Sequence, residues 1–187
     1  RPVNGSMFSK ALVAGRSRLY TRTADGALHA GQELLPSEGN RRLNDGKPDP
    51  AGRFLVGTLP LEGSSEVETL VRVESDGTVT TLDNDLTLSN GLAWTADGSR
   101  LFTVDSNTRR IYSRAYDPAT GEAGDRSIFV ELTAGYPDGI CLDVENHLWV
   151  AVWGEGEVHR YSPDGHLVGR IRVNAPHVSA VAFAGDE

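Results

Sequence analysis

The sequence predicts an all-β propeller built from four-stranded antiparallel blades, and three observations carry that prediction. An Asn or Asp followed by Gly returns ahead of apolar strands at Asn44-Asp45-Gly46, Asn90-Gly91 and Asp138-Gly139, a period of about 47 residues. Short β-branched and aromatic runs are punctuated by Asp25-Gly26, Asp76-Gly77, Asp97-Gly98 and Asp164-Gly165, dipeptides that suit tight hairpins. No long helical periodicity, low-complexity tract or linker interrupts the pattern, so residues 1–187 read as one architectural unit.

In chain order, Asn4-Gly5-Ser6-Met7-Phe8 is a faint first copy of the repeat. The second runs from Asn44 to the apolar strand Arg53-Phe54-Leu55-Val56-Gly57-Thr58. The third is the most legible. Leu92-Ala93-Trp94 predicts an inner strand, Ala96-Asp97-Gly98-Ser99 a turn, and Arg100 to Asp105 the returning strand. Arg110 to Tyr116 then alternates polar and apolar residues, as a half-buried strand should. Asp117-Pro118-Ala119-Thr120-Gly121 turns again, and Ser127-Ile128-Phe129-Val130 closes the unit as a fourth strand, which makes one propeller blade. The next copy runs from Asp138-Gly139-Ile140-Cys141-Leu142 to Leu148-Trp149-Val150-Ala151-Val152. Ser179-Ala180-Val181-Ala182-Phe183 matches the start of a further inner strand without the polar residue. The expectation is therefore about four blades of a propeller that is incomplete at both ends, with continuation on either side.

A formal charge of −8 argues against nucleic acid or an anionic membrane as partner. No run of 18 apolar residues occurs, and Arg1-Pro2-Val3-Asn4 lacks an apolar signal region. A single Cys141, inside an apolar strand, excludes an internal disulfide framework and fits a reducing, cytoplasmic setting. A monomer or weak homo-oligomer is expected.

The recurrent Asn or Asp is where chemistry is expected. In a propeller, the loops entering successive inner strands meet at one mouth of the central channel. Amide and carboxylate oxygens converging there suit a hard divalent cation, calcium first, with zinc, magnesium or manganese as alternatives. A lone Asn-Gly is more simply a turn; three in register bring the ligand reading level with it.

Arg42-Leu43-Asn44-Asp45-Gly46-Lys47, Ser89-Asn90-Gly91-Leu92-Ala93-Trp94 and Pro137-Asp138-Gly139-Ile140-Cys141-Leu142-Asp143 resemble three signature segments of the senescence-marker-protein/gluconolactonase, or regucalcin-like, family. That resemblance implies a six-bladed propeller, of which about four blades are represented here, binding one divalent metal and hydrolysing a small sugar lactone. It implies Asn90 and Asp138 as metal ligands, Asp138 also as general base, and Arg42, Asn44 and Glu62 as substrate contacts. The family's remaining ligand, a Glu in an N-terminal Gly-Glu-Gly/Ser-Pro motif, has no counterpart. Gly154-Glu155-Gly156 lies downstream and is followed by Glu157. Two other functions share these features: a non-catalytic calcium-binding regulatory propeller, and a propeller hydrolase acting on aryl esters or phosphotriesters.

The remaining candidates read as structure. Asp83-Asn84-Asp85 begins like a calcium loop, but Leu88 stands where a turn Gly belongs, so a solvated turn is expected. The five histidines, at 29, 147, 159, 166 and 177, show no paired metal spacing and are expected at the surface. Trp94, Trp149 and Trp153 are expected in the core, with Trp153 at a strand end able to line the channel mouth. Lys47 is expected to be solvated or ion-paired.

Overall fold

The computed structural model describes residues 10–184, and all their regular structure is β-strand. Among them no helix is long and apolar enough to cross a membrane. Strands β1 (Lys10–Ala14), β2 (Arg18–Thr23) and β3 (Leu28–Glu33) form a three-stranded blade. Three four-stranded antiparallel blades follow: β4 (Arg41–Pro48) to β7 (Val79–Leu86), β8 (Ser89–Trp94) to β11 (Ser127–Glu131), and β12 (Tyr136–Leu142) to β15 (Leu167–Arg172). Between them lie β5 (Phe54–Pro60), β6 (Glu68–Val73), β9 (Arg100–Asp105), β10 (Arg110–Ala115), β13 (Leu148–Trp153) and β14 (Glu157–Tyr161). The expected strands of the third repeat fall on β8 to β11. The faint copy at residues 4–8 lies outside the described residues. Residues 179–183 form no strand, although the backbone N–H of Gly139 donates to the Ser179 carbonyl at 2.9 Å and lays this segment along β12.

The middle strands of the blades are buried on consecutive residues, so both of their faces pack into cores between blades. Leu55, Leu70, Leu86, Leu92, Leu101 and Tyr116 pack the second blade against the third; Phe102, Val104, Ile111, Ile140, Leu148, Val150 and Val152 pack the third against the fourth. Leu55, Leu70, Leu101, Ile111, Leu148 and Val150 are fully removed from water, and this burial is the main stabilising term.

The four Asp-Gly dipeptides make the hairpin turns as expected. Gly26, Gly77, Gly98 and Gly165 all take positive φ, from 73° to 88°. In the turn after β12, Asn146 takes that conformation at φ 59° without a glycine, its N–H donating to the Asp143 carbonyl.

Three expectations are corrected. Asp83-Asn84-Asp85 lies within β7 and is no solvated turn: buried Asp83 pairs with Arg114 at 2.6 Å and Arg126 at 2.8 Å, and Asp85 pairs with Arg126 at 2.7 Å. Those arginines belong to the next blade, so the acidic run clamps two blades. His159 is buried rather than on the surface, with its Nε2 3.0 Å from Glu157 and its Nδ1 3.1 Å from the Tyr161 hydroxyl. Trp153, at the end of β13, is 40% exposed and lines the cavity that holds Asn90 and Asp138, so the strand-end placement stands and the core placement does not.

Candidate metal centre and lactone site

The recurrent Asn/Asp-Gly segments are not loops entering the inner strands. They sit inside β4, β8 and β12, each at a β-bulge. Pairing jumps from Leu43–Thr58 to Gly46–Val56, from Ser89–Asp105 to Leu92–Thr103, and from Pro137–Val152 to Ile140–Val150. In each blade two inner-strand residues thus oppose one on the partner, and the bulge re-aims a side chain that regular alternation would place elsewhere.

Glycine is needed here for close approach. A Cβ on Gly91 would stand 2.4 Å from the Asp138 backbone oxygen, and one on Gly139 would stand 2.8 Å from the Ser179 oxygen. Neither glycine has a positive φ. In the second blade, Asp45 holds the bulge position that Gly91 and Gly139 hold in the next two.

A cavity of about 510 Å³ collects Arg42, Asn44, Asn90 and Asp138, with Leu59, Ser106, Asn107, Tyr136 and Trp153 also on its walls. One hydrogen-bond chain orders its polar side. Arg42 donates from Nη1 to the Leu43 carbonyl at 2.8 Å and to Asn44 Oδ1 at 3.1 Å. Asn44 Nδ2 donates to the Ser89 carbonyl at 2.7 Å and to Asn90 Oδ1 at 3.0 Å. Asn90 Nδ2 donates to Ser106 Oγ at 2.9 Å, whose hydroxyl donates to the Pro137 carbonyl at 2.6 Å. The segment leading into β8 is fixed by buried Asp105, which accepts the Leu88 N–H at 3.0 Å and the Thr87 N–H at 3.2 Å.

Asp138 is the exception to this satisfaction. Among the described residues no side chain donates to its carboxylate. Burial, and then the nearby negative charge of Asp45, push its pKa up to about 6, against the pull of the Gly139 N–H. Burial also raises the pKa of Asp45, opposed by the Gly46 N–H and the Lys47 charge. On the cavity wall, the Asp138 carboxylate and the Asn90 amide oxygen, which keeps a spare lone pair, offer hard oxygens that suit a divalent cation, with the charge of Asp45 nearby adding to the negative potential. The residues therefore fit such an ion.

Glu62 is not on the cavity wall. It sits just beyond Leu59 on an exposed loop, its backbone paired with the Asn40 side chain at 2.7 Å and 2.9 Å. Lys47 is exposed and donates to the Leu92 carbonyl at 3.2 Å. Asp45 and Ser106 were not singled out by sequence reasoning. Asp45 was legible only as the one non-glycine at its bulge position; Ser106 has no periodic signal.

A second acidic group, Asp143, Glu145 and His147, lies in the turn after β12. Its charge is already partly compensated by a protein cation. Arg160 stands 2.7 Å from Asp143, 2.8 Å from Glu145 and 3.2 Å from His147. Burial opposes ionisation of Asp143, but Trp149 and Arg160 hydrogen bonds hold its pKa well below the usual carboxylate range. A divalent ion would have to displace that guanidinium.

Comparison with known proteins places the chain in a family. The sequence profile of the SMP-30/Gluconolactonase/LRE-like region matches residues 4–187. The chain belongs to this family. It is 37% identical over 168 residues to the pentonolactonase XacC of Haloferax volcanii, a match covering 89% of this chain and 56% of that protein. It is 34% identical over 160 residues to Xenopus laevis regucalcin, covering 79% and 52%. The chain thus spans about half the length of the curated relatives it matches. Among solved structures, a calcium-binding protein, regucalcin, from Agrobacterium tumefaciens superposes with a TM-score of 0.89 at 32% identity, covering 95% of this chain and 61% of that one. A luciferin-regenerating enzyme superposes with a TM-score of 0.90 at 28% identity, covering 98% and 65%. Family membership supports sugar-lactone hydrolysis at the level of the family.

Proposed function

We propose that this chain carries the catalytic side chains of a metal-dependent lactonase acting on a sugar lactone, with Asn90 and Asp138 holding the metal and Asp138 serving as general base. The observation that carries the reading is the Asp138 carboxylate, raised to about 6 and without a side-chain donor among the described residues, in one cavity with Asn90, Asn44 and Arg42. A bound divalent cation, calcium first, would supply Lewis acidity and a more acidic water.

The chain's own residues do the rest. Asp138 takes the proton of the attacking water, a role that needs a carboxylate not already saturated by donors. Arg42 uses Nη1 to brace the backbone and Asn44, which leaves the other face of its guanidinium free to donate to lactone oxygens. Asn44 is locked between Arg42, Ser89 and Asn90, so it presents a fixed amide edge to substrate. Glu62, beyond Leu59, is a rim contact.

The test is acid release from an aldonolactone by the purified full chain, before and after chelation, with calcium, zinc, magnesium or manganese restored singly. Turnover should vanish on chelation and return with one or more ions. Metal binding without turnover would support the calcium-binding regulatory alternative, and faster turnover of an aryl ester or phosphotriester would replace the lactone.

A further inference from the structure

The cavity has a second wall that the metal and base do not use. Tyr136 opens β12 and Trp153 closes β13, and the two residues are directly paired across the strands. Both line the cavity that holds Asn90 and Asp138, and both stay open to solvent, at 39% and 40% exposure. Their exposure leaves both rings accessible to a molecule entering the cavity.

Each ring is braced from outside the blade's own hairpin core. Trp153 stacks face to face on His177, with ring centroids 4.2 Å apart and planes 6° from parallel, and the same residues share a β-bridge. The Arg109 guanidinium lies over the Tyr136 ring, 5.1 Å from its centroid. Loose aromatics would pay for ordering when a ligand binds; rings held in advance do not. The same cavity carries the donors and acceptors of Arg42, Asn44 and Asn90.

A cavity lined by both hydrogen-bonding and aromatic side chains matches a sugar ring. Hydroxyls and the ring ester take the polar side, and the ring's C–H face lies on an electron-rich aromatic surface. We propose that Trp153, seated on His177 and backed by Tyr136, is the specificity-determining platform for the lactone ring, selecting polyhydroxylated rings with a continuous C–H face. This rests on the lactonase reading above. Trp153 is a substrate-positioning residue rather than part of the proton transfer.

The experiment uses the full chain with Trp153→Ala, Trp153→Phe and Tyr136→Ala, assayed on an aldonolactone with the metal that supports turnover. Trp153→Ala should raise KM about tenfold, the size of one lost aromatic contact, with a much smaller change in kcat. Trp153→Phe should recover most of that loss. Trp153 emission should also respond to a non-hydrolysable aldonolactam, and Trp153→Phe should abolish the response while Trp94 and Trp149 remain. Wild-type turnover with an unchanged KM in Trp153→Ala overturns the platform and leaves the lactonase reading intact. An emission response with no wild-type turnover supports the platform and overturns the lactonase reading. Should Trp153→Ala fail to fold, the lactam response of Trp153→Phe decides.

Discussion

Asp97-Gly98 and Asn90-Gly91 stand at opposite ends of β8 and look alike in sequence, yet the fold uses them for opposite purposes. At the outer turn, Gly98 takes φ 73°, and Asp97 accepts from the Thr95 hydroxyl at 2.6 Å and the Ser99 N–H at 3.1 Å. At the bulge, Gly91 has no positive φ and is there so that β12 can approach, while Asn90 faces the cavity. The two carboxylates differ as sharply. Thr95 and Ser99 hold Asp97 down to about 2, whereas burial and Asp45 hold Asp138 up to about 6. A carboxylate with local donors is a fastener, and one deprived of them is available for ions, protons and substrate.

The largest test of that contrast is Asp138→Asn. It should lower lactone turnover by about 10²–10⁴-fold at saturating metal, while circular dichroism stays that of the wild type. More than a tenth of wild-type rate would refute the base assignment. Asp97→Asn should leave turnover unchanged.

Gly91→Ala comes next. The new methyl would meet the Asp138 backbone oxygen at 2.4 Å, where backbone cannot yield cheaply. We expect a loss of about 1–3 kcal/mol in denaturant unfolding, together with weakened metal binding, because β12 is displaced. Gly98→Ala should lose about 1–2 kcal/mol for its left-handed backbone, with metal affinity intact. Equal effects on metal affinity would erase the distinction between bulge and turn.

Arg42→Ala should raise KM for the lactone while moving metal affinity little, since its bonds run to Leu43 and Asn44. Proportional losses in both would make Arg42 structural.

The smallest effects are in pH dependence. Asp138 has a raised folded-state pKa, so its contribution to stability is present below about 4, the unfolded value, and is lost as pH rises through about 6. Metal-free Asp138→Asn should therefore melt higher than wild type at pH 7, the gap closing below about pH 4. Proton competition should also weaken cation binding below about pH 6. Asp97 runs the other way. Its contribution is present above about 4 and disappears as pH falls through about 2, so Asp97→Asn should melt lower than wild type at pH 7 and converge with it in acid. Melting curves of both variants across pH check the two signs together.

Much of the architecture was readable because it follows from local chemistry. The strand expected from Arg110 to Tyr116 became β10, although it is buried on both faces rather than half-buried, and the Asp-Gly turns fell where their positive φ values are needed. Where reading failed, side-chain pairing or local backbone geometry had overridden the residue type's default. Asp83 looked like turn chemistry until Arg114 and Arg126 of the next blade were seen to neutralise it inside a strand. His159 was assigned to the surface by default, but Glu157 and Tyr161 satisfy both ring nitrogens and allow burial. Asn146 entered a left-handed turn that a search for glycine overlooks.

The sequence by itself determined the repeat, the antiparallel hairpins and the identity of the polar residue in each inner strand, because period, turn preference and side-chain type are properties of short segments. Tertiary structure decided that those residues lie on bulges, that Asn44 bonds Asn90 across blades, that burial and then Asp45 raise the pKa of Asp138, and that Tyr136 and Trp153 line the same cavity. Each depends on the distance between groups far apart in the chain, and electrostatic and packing energies respond to that distance, of which the linear order carries no record.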